Sequence, residues 1–196
     1  MKSNSIVLKH FFAVSLSFFF QNFFSQTFTD SNLPIVVINT DINPNTGQPT
    51  EIVDDPRVLA TMKIIKRPDG TRNYMTDINT TSFLNYNGRI DIEFRGSSSQ
   101  DLPKKPYGLS TKQADNVSNN NVSLLGMPSE NDWILNALAF DSSYIRDYIS
   151  YNLSSQLGNY ASRTVYCEVV VNGEYKGLYM LQEKLKDDSN RINVLE

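Results

Sequence analysis

The sequence predicts an α+β domain: an antiparallel β-sheet with a packed helix. Three observations carry this. Short β-branched runs alternate at period two and are separated by turn residues. One stretch, Asp141 to Leu157, repeats aliphatic residues at a spacing of four. Asn172-Gly173 divides two alternating segments, a strong signal for a two-residue hairpin.

The elements follow in chain order. Leu33 to Thr40, LPIVVINT, is β-branched, and Pro34 suits the start of a strand. Asp41 to Asp54 is a loop punctuated by Asn43-Pro44, Thr46-Gly47 and Pro49. Arg57 to Lys66 places Val58, Ala60, Met62 and Ile64 on one face, and Pro68-Asp69-Gly70 turns the chain. Thr71 to Asn87 is polar and aromatic without a clear period. From Gly88, Ile90, Ile92 and Phe94 alternate with charged residues as in a half-buried strand, and Tyr107 to Lys112 is the returning strand. Gln113 to Asn121 reads as an exposed loop, Leu124 to Pro128 as an apolar patch and turn, and Trp133 to Ala139 as a buried segment with Trp133 as a core anchor.

In the helix, Asp141 or Ser142 is the expected N-cap and Gly158 the C-terminal cap. Ile145, Ile149 and Leu153, widened by Tyr144, Tyr148 and Leu157, form its apolar face. In the hairpin, Thr164 to Val171 presents Val165, Cys167, Val169 and Val171 on one face, and Tyr175 to Glu183 returns.

The 196 residues suffice for one domain with a sizeable core. With 40% hydrophobic and 20% charged residues the chain lacks the composition of a disordered one. A net charge of -3 speaks against a general nucleic-acid binder. Residues 1–25 read as a secretory signal peptide: Lys2, Lys9 and His10 precede the phenylalanine-rich run Phe11 to Phe24, and Ser25 is a small residue before a cut that would leave Gln26 first. The expected localisation is secreted or cell-surface, with no stable membrane span after signal removal. Four Asn-x-Ser/Thr matches, at Asn79, Asn116, Asn121 and Asn152, arise readily by chance.

Several chemistries are set aside. Cys167 is the single cysteine, and the single histidine, His10, lies in the leader. Ser/His and Cys/His nucleophile machinery and histidine zinc sites are therefore excluded within the chain. There is no G-x-x-x-x-G-K-[ST], G-x-G-x-x-G, H-E-x-x-H or G-x-S-x-G pattern.

What remains is the loop after the Gly88 strand. Arg95, Gly96, Ser97, Ser98, Ser99 and Gln100 are followed by Lys104 and Lys105. Hydroxyls, backbone N–H groups and cations concentrated in so few residues suit an anionic ligand, phosphate above all. A solvated hairpin loop would have the same residue types. A helix carrying Arg146 and a strand ending in Glu183-Lys184 accompany this loop, and Glu183, Lys184 and Arg191 read equally as a solvated strand end.

The order of segments bears on that choice. RGSSSQDLPKKPYGL, NVSLLGMPSENDWILNA, DSSYIRDYISYNLSSQLGNYASRT and EVVVNGEYKGLYMLQEKLKDDSNRIN together resemble the CotH family, the spore-coat and surface-protein group of atypical kinases. The resemblance runs from Leu33 to Val194. It implies a kinase-like N-terminal lobe over residues 26–196, and ATP with Mg or Mn as cofactor for phosphoryl transfer to protein Ser/Thr. It also implies a nucleotide and an unknown protein substrate as partners. On it, Arg95, Ser97, Ser98, Ser99, Lys104 and Lys105 would face the phosphates, with Lys105 favoured as the inward lysine because it adjoins the returning strand. Arg146 would reinforce the site, and Glu183 would orient a lysine. Asp147 stands where the family usually has asparagine, and a carboxylate pointing inward would oppose phosphate. The family's catalytic aspartate and metal-binding acidic segment have no match here. The alternative is a non-catalytic surface or coat-protein binding module on the same scaffold.

Without those aspartates, the chain by itself is expected to transfer no phosphate. Purified protein incubated with γ-labelled ATP and Mg or Mn should label neither itself nor an added protein; metal-dependent labelling would overturn this expectation.

Overall fold

The computed structural model describes residues 27–187 and 191–192. The expected signal segment lies outside the described residues. Nine strands and one α-helix are present among them: β1 (Asp30–Ser31), β2 (Ile35–Thr40), β3 (Val58–Ile65), β4 (Asn73–Tyr74), β5 (Leu84–Phe94), β6 (Tyr107–Lys112), β7 (Asp132–Asn136), α1 (Arg146–Gln156), β8 (Thr164–Val171) and β9 (Glu174–Glu183).

Seven strands close into a barrel in the order β2-β3-β5-β6-β7-β9-β8. Six of the junctions are antiparallel, as hairpins and short returns make them. The seventh is parallel and joins β2 to β8, pairing Ile35 with Glu168 and Ile38 with Val171. Flanking bonds extend this seam: Glu168 N–H donates to Pro34 O at 2.9 Å and Asn172 N–H to Ile38 O at 2.9 Å. Register shifts at Ile64/Ile65 in the β3–β5 pair and at Val169/Val170 in the β8–β9 pair mark bulges, which locally increase twist and help a sheet bend into a closed wall.

The alternation predicted from sequence fills the barrel. Ala60, Met62 and Ile64 of β3, Ile90 and Ile92 of β5, and Cys167, Val169 and Val171 of β8 meet in one buried cluster with Trp133, Leu135, Tyr179 and Leu181. The loops lend Ile52, Leu124 and Met127 to the same core. Trp133 is its anchor, with the indole N–H donating to Glu130 O at 3.2 Å. Gly88 shares the inward face of β5 with Tyr86 and Ile90 by alternation, and the Tyr86 side chain folds over it. A Cβ there would stand 2.6 Å from the Tyr86 hydroxyl, which donates to Arg89 O at 2.9 Å.

Beyond the bulge at Ile65, a second small cluster forms outside the barrel. Ile35, Val37, Ile65 and Val170 are buried there, covered by Phe28, Met75, Ile78 and Leu84. The Thr71 to Asn87 stretch, aperiodic in sequence, supplies this cover: β4, the 3-10 turns Met75–Asn79 and Thr81–Phe83, and the start of β5. Arg67 ties it down through two bonds to the Asp77 carboxylate, at 2.8 and 2.9 Å.

The expected α+β fold with a packed helix is corrected on both counts. The chain is mostly β, and its sheet is a closed barrel. The one helix does not bury its apolar face on the barrel: Ile149, Leu153 and Leu157 are 52%, 55% and 71% exposed. The barrel interior is filled by its own side chains, so it has no open apolar face for α1 to cover. The helix and the turn before it are held instead by polar and ring contacts. Asn136 Nδ2 donates to Asp147 Oδ2 at 3.0 Å, Tyr148 lies 5.5 Å from Tyr166 between ring centroids, and the Tyr166 hydroxyl donates to Tyr144 O. The helix also starts later than expected. Tyr144 has a left-handed φ of 58°, so the chain turns before entering α1. Asp141 stabilises that turn, accepting from Ser143 N, Ser143 Oγ and Arg146 N at 3.0, 2.6 and 2.9 Å. Led by the Ser143 hydroxyl, these donors hold its carboxyl down to about 2. Gly158 closes the helix at φ 85°, as the sequence indicated.

Barrel and helix are therefore expected to respond differently to truncation. Ile92→Ala should cost about 2–5 kcal/mol in denaturant unfolding, whereas Leu153→Ser on α1 should stay within about 0.5 kcal/mol. A large loss from Leu153→Ser would show that the helix face is buried in the protein.

Candidate functional site

An open cleft of about 370 Å³ lies where the end of β5, the approach to β6 and the β8–β9 hairpin meet. Its walls are Phe94, Tyr107, Tyr175 and Tyr179, and its charged lining is Lys104, Lys105, Lys176 and Glu174. Three cations face one carboxylate, so the cleft carries excess positive charge among aromatic surfaces. That composition suits an anion joined to a planar apolar group.

The rings are fixed by burial. Tyr107 sits 5.7 Å from Phe94 and 5.9 Å from Tyr179 between ring centroids. The Tyr179 hydroxyl donates to Lys105 O at 2.8 Å. Burial raises the pKa of both Tyr107 and Tyr179, so both stay neutral near pH 7 and add no negative charge to the cleft.

The two lysines are held differently. Lys104 Nζ donates to Leu178 O and stands 4.6 Å from the Tyr179 ring centroid and 5.3 Å from that of Tyr144. Lys104 passes close to Gly177: its Cε and Nζ atoms lie 3.8 and 3.9 Å from the position a Cβ would take there, an ordinary van der Waals contact, and it is the left-handed φ of 93° that favours glycine at this position. Burial lowers the Lys104 pKa, and the Glu168 charge partly offsets that. Glu168 itself accepts from Ser31 Oγ at 3.1 Å and from the Tyr175 hydroxyl at 2.7 Å. Lys105 Nζ donates to Gln100 O, which ties it to the serine-bearing loop.

That loop is an ordered turn. Arg95 N–H donates to Pro106 O at 3.0 Å, Gln100 N–H to Ser97 O at 3.0 Å, and Ser99 Oγ to Arg95 O at 3.4 Å. Gln100 Nε2 donates to Gly96 O at 2.6 Å and to Asp54 Oδ1 at 2.7 Å. Arg95, Ser97 and Ser98 are exposed, Ser99 is half-buried, and none of the four lines the cleft. Arg146 is also outside it: its side chain is 77% exposed and 3.6 Å from Asp141. Asp147, the residue expected to oppose phosphate if inward, is engaged by Asn136.

Glu183 belongs to a different centre at the far end of β9. Its side chain is fully buried, with Oε1 3.0 Å from Arg163 Nη1 and Oε2 accepting from the Tyr160 hydroxyl and from Arg163 N, each at 3.0 Å. Arg191, also fully buried, pairs with Glu183 and lies 5.0 Å from the Trp133 ring centroid. The structure thus brings Lys104 and Lys105 together and places Glu183 among arginines. Sequence reasoning passed over Lys176, Glu174 and the cleft tyrosines. The NGEYKGLY segment held that signal, but only strand pairing shows which hairpin side chains meet the lysines.

Fold and site together define a small β-barrel domain bearing a lysine- and tyrosine-lined cleft. The family model described as CotH kinase protein matches residues 92–196, more than half of the chain, and the chain belongs to that family. The match begins within β5 and so covers less than the Leu33 to Val194 span over which the sequence resembles the family. A comparison with curated proteins finds no match.

The geometry gives Glu183 a testable role. Glu183→Ala would leave the Arg191 guanidinium buried without its carboxylate and should cost about 3–5 kcal/mol. If Glu183 instead oriented a cleft lysine, the substitution would impair ligand binding with little loss of stability; a melting temperature unchanged by Glu183→Ala would overturn the structural role.

Proposed function

We propose that this chain supplies the nucleotide-binding part of a secreted CotH-type protein kinase, with the Lys104–Lys105 cleft taking the phosphates of ATP. The observation that carries this reading is the convergence of three lysines and four aromatic rings in one cleft of a chain that belongs to a kinase family. The residues fit the ligand. The cleft volume lies within the range usual for small-molecule sites, its walls suit a planar base, and its cations suit polyphosphate.

ATP would bring the transferable phosphoryl group, and phosphoryl transfer depends mainly on positioning and charge neutralisation. In this reading Lys105 neutralises phosphate charge from the loop side. Lys104, held against Leu178 O, does so from the hairpin side. An anion arriving beside Lys104 would favour its charged form and oppose the effect of burial. Among the described residues no group of three or more His, Cys, Asp or Glu side chains is placed to hold a metal ion, so Mg or Mn would enter with the phosphates. No helix among the described residues is long and apolar enough to cross a membrane. Export rests on the signal-like leader, and a secreted product beginning at Gln26 would support it.

ATP with Mg or Mn is expected to raise the melting temperature of the purified protein in a concentration-dependent way. Lys105→Ala should remove most of that shift while leaving the unliganded melting temperature nearly unchanged. Absence of any shift in the wild-type protein, together with no binding by calorimetry, would overturn the nucleotide reading.

A further inference from the structure

We infer that Lys176 is a third phosphate-binding cation of the cleft, held in reserve by Glu174 until an anionic ligand displaces that carboxylate. The inference rests on the anion-binding reading of the cleft given above and extends it to the hairpin.

The hairpin geometry is what places Lys176 there. Asn172 and Gly173 form the tight turn, with φ of 50° and 80°. Beyond it, Val170 pairs with Tyr175 and Val169 with Gly177, so Lys176 is the extra residue of a β-bulge. A bulge takes one side chain out of the regular alternation and re-aims it. Here Tyr175, Lys176 and Tyr179 all line the cleft, whereas strict alternation would send Lys176 to the face opposite Tyr175 and Tyr179. Gly177, next in the chain, takes the left-handed φ of 93° and lies against the end of the Lys104 side chain. The bulge thus brings Lys176 and Lys104 into the same cleft.

Lys176 is not committed to the barrel. Its ammonium pairs with Glu174 Oε2 at 2.6 Å, and the Glu174 side chain is 73% exposed. The Lys176 side chain is 29% exposed, but water solvates the Glu174 carboxylate well, so the pair contributes little. Among the described residues Glu174 is the only carboxylate lining the cleft, and its charge reaches the Tyr107 side chain. Glu174 therefore opposes an incoming anion both by repulsion and by occupying Lys176. A polyphosphate, with several charged oxygens, offers Lys176 a stronger partner than a single solvated carboxylate. Lys104 and Lys105 each already donate to a backbone carbonyl, so Lys176 is the cleft cation whose partner is most easily exchanged.

Calorimetric titration of the purified protein with Mg-ATP and, separately, with Mg-tripolyphosphate tests this. Lys176→Gln should weaken both ligands roughly tenfold, as loss of one charge-assisted hydrogen bond would, and Lys176→Arg should retain most of the affinity. Glu174→Gln should tighten both about two- to fivefold. Lys176 is partly exposed, so the unliganded melting temperature reports that each variant is folded. Equal affinity of wild type and Lys176→Gln overturns the role of Lys176, and no gain from Glu174→Gln overturns the masking. Tripolyphosphate binding that depends on Lys176, without ATP binding, supports this inference and removes the nucleotide reading. Failure of the wild-type protein to bind either ligand overturns both.

Discussion

The structure depends on one seam: the parallel pairing of β2 with β8, between segments more than 120 residues apart in the chain. Every other junction in the barrel joins antiparallel partners. This one converts an open sheet into a closed wall and removes its two free edges. Once closed, the inward faces of all seven strands must share one interior, which explains why the period-two positions of β3, β5 and β8 meet in a single cluster. The hydrogen bonds at its ends, from Glu168 N–H to Pro34 O and from Thr40 N–H to Asn172 Oδ1, carry the seam from Pro34 to the hairpin turn.

The seam also orders the cleft. It fixes β8, β8 fixes β9, and the β9 bulge sets Lys176 and Gly177 beside Lys104. Charge is then divided between two places. At the hairpin end, the lysines face a half-open cleft with few carboxylates, where attraction for an anion remains available. At the other end of β9, Glu183 is enclosed by Arg163, Arg191 and Tyr160, where a buried charge must be paired or it would be prohibitively costly. A third set of ions, outside both, runs across β5, β6 and β7. Arg57 and Lys112 pair with Asp91, Ser110 donates to Asp132, and Lys186 bridges Asp132 and Glu130. Lys186 thereby holds the chain after β9 against the barrel wall.

Much of the local structure was legible. A β-branched run located β2, alternation located β3, β8 and β9, β6 was the return of the preceding strand, and Asn172-Gly173 located the hairpin, because composition, period and turn chemistry are properties of neighbouring residues. The start of β5 was missed: Leu84 to Asn87 lacks clean alternation where Asn85 is bulged against the Ile64–Ile65 step. The helix was placed but begun too early, because Asp141 caps a turn before α1 and Tyr144 is left-handed. Its apolar stripe was read as packed because amphipathicity tells which face is apolar without telling what covers it. Within the candidate site, Lys104 and Lys105 were visible because they adjoin a polar loop. Lys176 was not, since a bulge changes the facing of one residue without a mark in composition.

By itself the sequence determined β2, β3, most of β5, β6 and the β8–β9 hairpin, the buried tryptophan and the CotH resemblance. These rest on short-range periodicity or on long collinear motifs. Only the tertiary structure decided that the sheet closes, that α1 leaves its aliphatic face exposed, that Glu183 pairs with arginines and that Lys176 joins the cleft. Each of these depends on which distant segments meet, and the parallel seam between β2 and β8 has no local signature from which that meeting could be read.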